Sequence, residues 1–341
     1  LGYNVNLQIG IHFKVFFFYY KWGTRYDKNK NPLTHQEMAN VNQETLKKSV
    51  SYSSLNETNT LLLSNSLQSD SKTKIEKVGD NYVATWVDMI FEGDVPRTIL
   101  KYSVLKNNAW STPKSIDVKG NAFYHDMYFD GEDLHLTWQN VKEGVDVSSL
   151  EQMSAHSEIY YAKFNQINNE FANVKQITND STLDAAPHFV LQENDSQNLA
   201  IAWQKNSLND IMSLTGKNSI VYSECVGGSW SACQTLYESD NYFSFVDTAY
   251  VDGKLTTTCI EDLDNDLFTN DRKIKVIQKS EIEKIVGDKF TEVNNPQFNK
   301  IDGKVCLSFY GDGNVHYSEN FEQVKTFDIE QGKVNDTYKI L

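Results

Sequence analysis

The chain has 341 residues, 12% of them aromatic, with only 5 Pro and 17 Gly, the composition of a β-rich globular protein rather than a disordered or fibrous one. Its formal net charge of −14 argues against broad nucleic-acid binding and against attraction to an anionic membrane. The longest apolar run, Val15 to Tyr20, is far too short to span a bilayer, so no membrane insertion is expected.

No signal peptide is visible and the first residue is Leu, so the chain is read as an excised or processed part of a larger protein, a monomeric domain of it. Taken in order, Tyr3 to Trp22 alternates apolar and polar residues as a strand pair would, with Gly10 as its turn marker. Thr34 to Val50 opens with a capping box, Thr34 and Glu37, and predicts a short helix inside a loop. From Asp80 to Ile116 the pattern is turn, strand ending in Trp86, loop, strand centred on Tyr102-Ser103, tight turn, and a strand opening with Trp110.

That order recurs. The residue closing the second strand of each unit is Trp22, Trp86, Trp138, Trp203, Cys259 and Phe309, about 57 residues apart on average. The next strand carries Tyr52-Ser53, Tyr102-Ser103, Tyr161-Ala162, Tyr222-Ser223, Val276-Ile277 and Tyr317-Ser318; the last opens with Trp110, Phe171 and Trp230 where it is legible. Asp130-Gly131, Asp252-Gly253 and Asp302-Gly303 sit between first and second strands, and Gly227-Gly228 between third and fourth.

Four strands per unit, six times over, predict an all-β fold: a six-bladed β-propeller of four-stranded antiparallel blades. The blades fall at 1–70, 71–120, 121–180, 181–240, 241–292 and 293–341 of a single domain. Two stacked β-sandwiches are the alternative, but they need no such regular Trp. Val334 to Leu341 reads as one more strand, expected to pair with the first unit and close the ring.

In this topology the loops between second and third strands share one face with the links between blades. Here those loops are long, so that face is expected to carry function. First strands begin there beside the axis. Counting five back from each turn Asp gives His125, Asp247 and Gln297, with His188 in the equivalent place of its own unit and Asp126 beside His125. One reading makes this ring a polar sugar or ion site with His125 or Asp247 as acid or base. The other makes it a set of ties between neighbouring blades around a water-filled channel, and it is the one favoured.

The acidic loop from Glu261 to Asp271 places Asp262, Asp264 and Asp266 at alternating positions, a spacing able to bring carboxylates to one calcium ion. Position six is Leu267 rather than Gly, and calcium is the only cofactor considered. Cys225 and Cys233 flank the Gly-Gly turn as a candidate disulfide, whereas Cys259 and Cys306 read as buried thiols.

Ser223-Glu-Cys-Val-Gly227-Gly-Ser-Trp230 resembles a degenerate Asp-box, the S-x-D-x-G-x-x-W hairpin of sialidase-like six-bladed propellers, and Ser103 to Trp110 keeps its Ser and Trp at the same spacing. Cys225 and Leu105 stand where the box has Asp. The resemblance implies a site on the long-loop face for a carboxylated sugar, with three Arg clamping the carboxylate and a Tyr–Glu pair as nucleophile. Arg25, Arg97 and Arg272, the only arginines, all lie at or next to those loops. No Tyr–Glu pair is assigned.

The ligand-binding candidates are therefore Arg97, His125, Asp126, His188, Asp247 and Arg272, and no residue is assigned a catalytic role. The expected function is a non-catalytic propeller module of a larger secreted or cell-surface protein, of bacterial type, holding a glycan or protein partner on its long-loop face. The alternative is a glycoside hydrolase or lyase using Asp126 with Asp247, or Glu261 with Asp88.

Overall fold

A computed structural model describes residues 8–15, 18–25, 72–92, 95–116, 118–147, 149–194, 197–266, 271–278, 282–301 and 303–327. The expected helix over Thr34–Val50 and the closing strand Val334–Leu341 lie outside the described residues, as do the side chains of Trp22 and Arg25. Strands β1 (Gln8–Val15) and β2 (Phe18–Arg25) form an antiparallel hairpin.

Five antiparallel sheets follow, each a meander in chain order. The first holds β3 (Lys74–Val78), β4 (Asn81–Glu92), β5 (Val95–Lys106) and β6 (Ala109–Trp110), with β7 (Lys114–Ser115) also on β5. The second holds β8 (Asn121–Phe129), β9 (Leu134–Val141), β10 (Ser157–Asn165) and β11 (Glu170–Gln176). The third holds β12 (Leu183–Phe189), β13 (Leu199–Asn206), β14 (Asn218–Val226) and β15 (Ser229–Trp230), with β16 (Gln234–Ser239) also on β14. The fourth is β17 (Phe243–Val251), β18 (Lys254–Glu261), β19 (Lys273–Gln278) and β20 (Ile282–Val286). The fifth is β21 (Val293–Ile301), β22 (Lys304–Gly311), β23 (Asn314–Ser318) and β24 (Lys325–Thr326). One short helix, α1 (Leu150–Ala155), N-capped by Ser149, sits in the loop between β9 and β10.

The core lies between sheets, not within them. Val83, Val87 and Leu100 of the first sheet pack against Leu136, Trp138 and Phe164 of the second. Tyr161 packs with Ile201 and Trp203, Tyr222 with Leu255 and Cys259, and Val276 with Leu307 and Phe309. Trp138, Trp203, Cys259 and Phe309 thus each face the preceding sheet, which is the physical reason for the repeat. A blade needs one bulky apolar wedge at the same height of its second strand to bury the face of its neighbour. Asp252 and Gly253 both have positive φ (50° and 73°), as a two-residue I′ turn requires.

The two Ser-to-Trp hairpins are built alike. Ser103 Oγ donates to Ser111 O at 2.7 Å, and Ser111 Oγ accepts the Val104 N–H at 3.1 Å. Ser223 and Ser231 repeat this at 2.8 and 3.1 Å, the latter to the Glu224 N–H. The fourth strand breaks at Ser111 and at Ser231, and the serine pair restores the ladder across the break. Asn107 and Asn108 take the positive-φ turn positions that Gly227 and Gly228 hold in the other sheet. None of the four cysteines, all among the described residues, is in a disulfide: Cys225 stands opposite Trp230, with Cys233 beyond the break, while Cys259 and Cys306 are buried.

Candidate functional site

The first strands of the five sheets, β3, β8, β12, β17 and β21, pack beside one another in chain order, and their middles form the polar cluster of the molecule. Cross-strand register identifies equivalent residues. Lys74 lies opposite Thr85, Asp126 opposite Thr137, His188 opposite Ala202, Asp247 opposite Thr258 and Gln297 opposite Ser308. Each partner immediately precedes the wedge residue of its second strand, Trp86, Trp138, Trp203, Cys259 or Phe309.

The ring position on β8 is therefore Asp126, not His125. The extra residue of a β-bulge falls before His125 on β8, one place earlier than on the other first strands relative to the wedge. The count back from the turn misses by one because Phe129 pairs with Leu134 across a four-residue loop where Val251 pairs with Lys254 across a two-residue turn, and Trp138 follows its loop by five places where Cys259 follows its turn by six. Side chains alternate with period two, so the residue reached, His125, lies on the other face. Positive φ at Ala186, Phe245 and Asn295 (50°, 53° and 50°) marks the bulge at one common place on β12, β17 and β21.

Every pair of successive sheets is tied through this ring. Lys74 Nζ donates to Asp126 Oδ1 at 2.7 Å. The Phe189 N–H donates to Asp126 Oδ2 at 3.0 Å. His188 Nε2 lies 3.1 Å from Thr248 Oγ1. The Phe298 N–H donates to Asp247 Oδ2 at 2.7 Å, and the Thr248 N–H takes Asp247 Oδ1 at 2.9 Å. Between the third and fourth sheets main-chain bonds add to these ties: the Leu191 N–H donates to Thr248 O and the Tyr250 N–H to Leu191 O, both at 2.9 Å.

Electrostatics separates the two carboxylates. Burial pushes Asp126 upward, but Lys74, the Phe189 N–H and His188 outweigh it and hold the carboxyl below its usual range. Asp247 has no lysine bonded to it, and burial leaves its carboxyl raised despite His188 and the Phe298 and Thr248 amides. His125 is buried on the face of β8 that carries its cross-strand partner Trp138. Burial, then Lys74, lowers its pKa to about 4, and its Nε2 has no partner.

The other candidates lie apart from this ring. Arg97 donates through Nε to Gly120 O at 2.7 Å and through Nη2 to Val118 O at 3.4 Å, fixing the link into β8. Gly120 is required there: φ is 102°, and a Cβ would stand 2.0 Å from Val141 O. Arg272 Nε donates to Asp262 Oδ2 at 3.3 Å. Asp262, Asp264 and Asp271 come together, each offering one oxygen within 4.8 Å of the others, so Asp271 stands where the spacing had pointed to Asp266. Asp88 and Glu261 do not pair. They occupy the same place in different sheets, both nearly fully buried, with Lys101 on Asp88 at 2.8 Å and Lys275 on Glu261 at 2.7 Å.

Sequence reasoning passed over Lys74 and Thr248. Lys74 lies twelve residues before Trp86, as Asp126 does before Trp138, so counting back from the wedge rather than from the turn would have found it.

Neither a protein-family model nor a curated protein sequence matches the chain. Among solved structures it resembles α-L-arabinanase of Penicillium chrysogenum in complex with arabinobiose, at 11% identity and TM-score 0.52, over 76% of this chain and 82% of that one. It also matches Trypanosoma rangeli sialidase at 16% identity and TM-score 0.47, over 76% of this chain. The chain spans about half, 48%, of that sialidase chain. The likeness to the arabinanase is one of fold.

Proposed function

We propose that the chain is a β-propeller module that holds a carbohydrate ligand at the axial mouth of its long-loop face without cleaving it, within a larger secreted or surface protein. The carrying observation is the ring itself. Both oxygens of Asp126 and both of Asp247 accept hydrogen bonds, so each carboxylate is engaged in joining blades rather than free to attack or protonate a substrate. Tyr124, 37% exposed and next to the ring, offers the aromatic face on which a sugar can stack. The fold shared with an arabinanase that was solved with arabinobiose supports the ligand class. Arg97 and Arg272 already serve carbonyls and Asp262, which favours a neutral glycan over a carboxylated one. In this reading the hairpin of β1 and β2 belongs to a sixth blade.

A second reading, a glycoside hydrolase, draws on the opposite pKa directions of Asp126 and Asp247, the arrangement by which paired carboxylates divide acid and base roles. One experiment separates them: a glycan array of the purified chain, read for retention and for released product. Retention without product, weakened by Tyr124→Ala at unchanged melting temperature, is the expected result. Product release that Asp247→Asn abolishes would replace the binding module with the hydrolase.

A further inference from the structure

Among the described residues, two clusters of side chains able to ligate a cation lie outside the ring, and they differ in one respect. In the cluster of Asp130, Asp133 and His135, the groups satisfy one another. Asp130 Oδ1 accepts the Glu132 and Asp133 N–H groups, His135 lies 3.0 Å from Asp130 Oδ2, and Lys163 pairs with Asp133. In the cluster of Asp262, Asp264 and Asp271, the Asp262 side chain is 0% exposed, Arg272 engages only Oδ2, and Oδ1 has no hydrogen-bond partner. A buried carboxylate oxygen without a partner, beside two further carboxylates, is destabilising unless a cation completes it.

We infer that Asp262, Asp264 and Asp271 form a calcium site on the loop between the second and third strands of the fourth sheet. The donor set is all oxygen and all carboxylate, which suits a hard divalent cation and provides none of the nitrogen or sulfur that zinc or copper sites use. Asp262 is held at the end of β18 by its own N–H to Tyr242 O. Asn265 fastens the loop from below, its Oδ1 accepting the Tyr242 N–H at 2.6 Å and its Nδ2 donating to Asp240 O at 3.0 Å. The cation would then join Asp271, at the foot of β19, to the end of β18. The site stands independently of the carbohydrate reading, since it makes no use of the axial ring.

The test is calorimetric titration of the chelator-treated chain with calcium chloride and, separately, magnesium chloride, alongside thermal melts. Asp264 and Asp271 are not buried, so Asp264→Asn and Asp271→Asn leave the fold intact and relieve repulsion in the metal-free protein. The expected result is one calcium ion bound per chain, a calcium-dependent rise in melting temperature, and affinity weakened by about tenfold or more in each variant. Absence of calcium binding, or calcium binding that both variants leave unchanged, would overturn the assignment. A response to magnesium equal to that for calcium would overturn the choice of ion.

Discussion

The Asp247 carboxylate accepts the Phe298 N–H at 2.7 Å across the boundary between two sheets, and Asp126 accepts the Phe189 N–H at 3.0 Å in the same way two sheets earlier. The amide donors follow Gln297 and His188, the ring residues of the receiving sheets. The polar axis is thus a fastening that repeats from sheet to sheet.

Removing one such fastening leaves an amide without its acceptor. Asp247→Ala is expected to lower stability by about 1–3 kcal/mol, the range for leaving a buried donor unsatisfied. Asp247→Asn, which keeps one carbonyl oxygen, is expected to lose less. Urea unfolding of both variants checks the ordering, and equal losses would show that the acceptor is not what matters.

Stability should depend on pH through His125. Its folded pKa of about 4 lies below the ordinary 6.5, so the unfolded chain takes up the proton first. The contribution is complete above about 6.5 and is lost as pH falls toward about 4. Raised Asp247 acts in the opposite sense, gaining as pH falls, and is common to parent and variant. His125→Gln is therefore expected to flatten the parent's decline across this window, as measured by urea midpoints at several pH values. Parallel curves would contradict the assignment.

Lys74 stabilises the ionised Asp126, but it is 38% exposed at its side chain and solvent screens part of the interaction. Lys74→Met is expected to cost about 1 kcal/mol at neutral pH. In an Asp126→Asn background the same change is expected to cost much less, a coupling that a double-mutant cycle measures directly.

The serine bridges predict a matched pair of losses. Ser111→Ala and Ser231→Ala each remove the acceptor for a main-chain N–H and are expected to cost about 1 kcal/mol apiece. Ser103→Ala combined with Ser111→Ala should cost less than the sum of the two, because both belong to one bridge.

Gly120→Ala places a methyl group 2.0 Å from Val141 O at a φ of 102°. Neither the clash nor the backbone conformation can be relieved without moving β8 or β9. A loss above about 3 kcal/mol is expected, visible as a large fall in melting temperature.

Much of this was legible in the sequence because its cause is local. Turn residues such as Asp252-Gly253 carry their own backbone preference, and a wedge such as Trp203 or Phe309 must recur wherever one sheet covers the next. The unit order and the strand meander follow from those two facts. What the sequence could not decide was parity and return. His125 and Asp126 are adjacent, and only the register of β8 against Trp138 and Thr137 determines which of them faces the axis. Asp271 rather than Asp266 joins Asp262 and Asp264, because the pairing of Glu261 with Lys273 sets the end of β18 beside the start of β19, and distance along the chain is not distance in space. Cys225 meets Trp230 rather than Cys233, since the strand breaks where Ser231 turns inward. Each of these outcomes is set by a shift of one residue or by which strand ends lie side by side, and such choices are settled by pairing and packing in the folded chain rather than by the residues' own preferences.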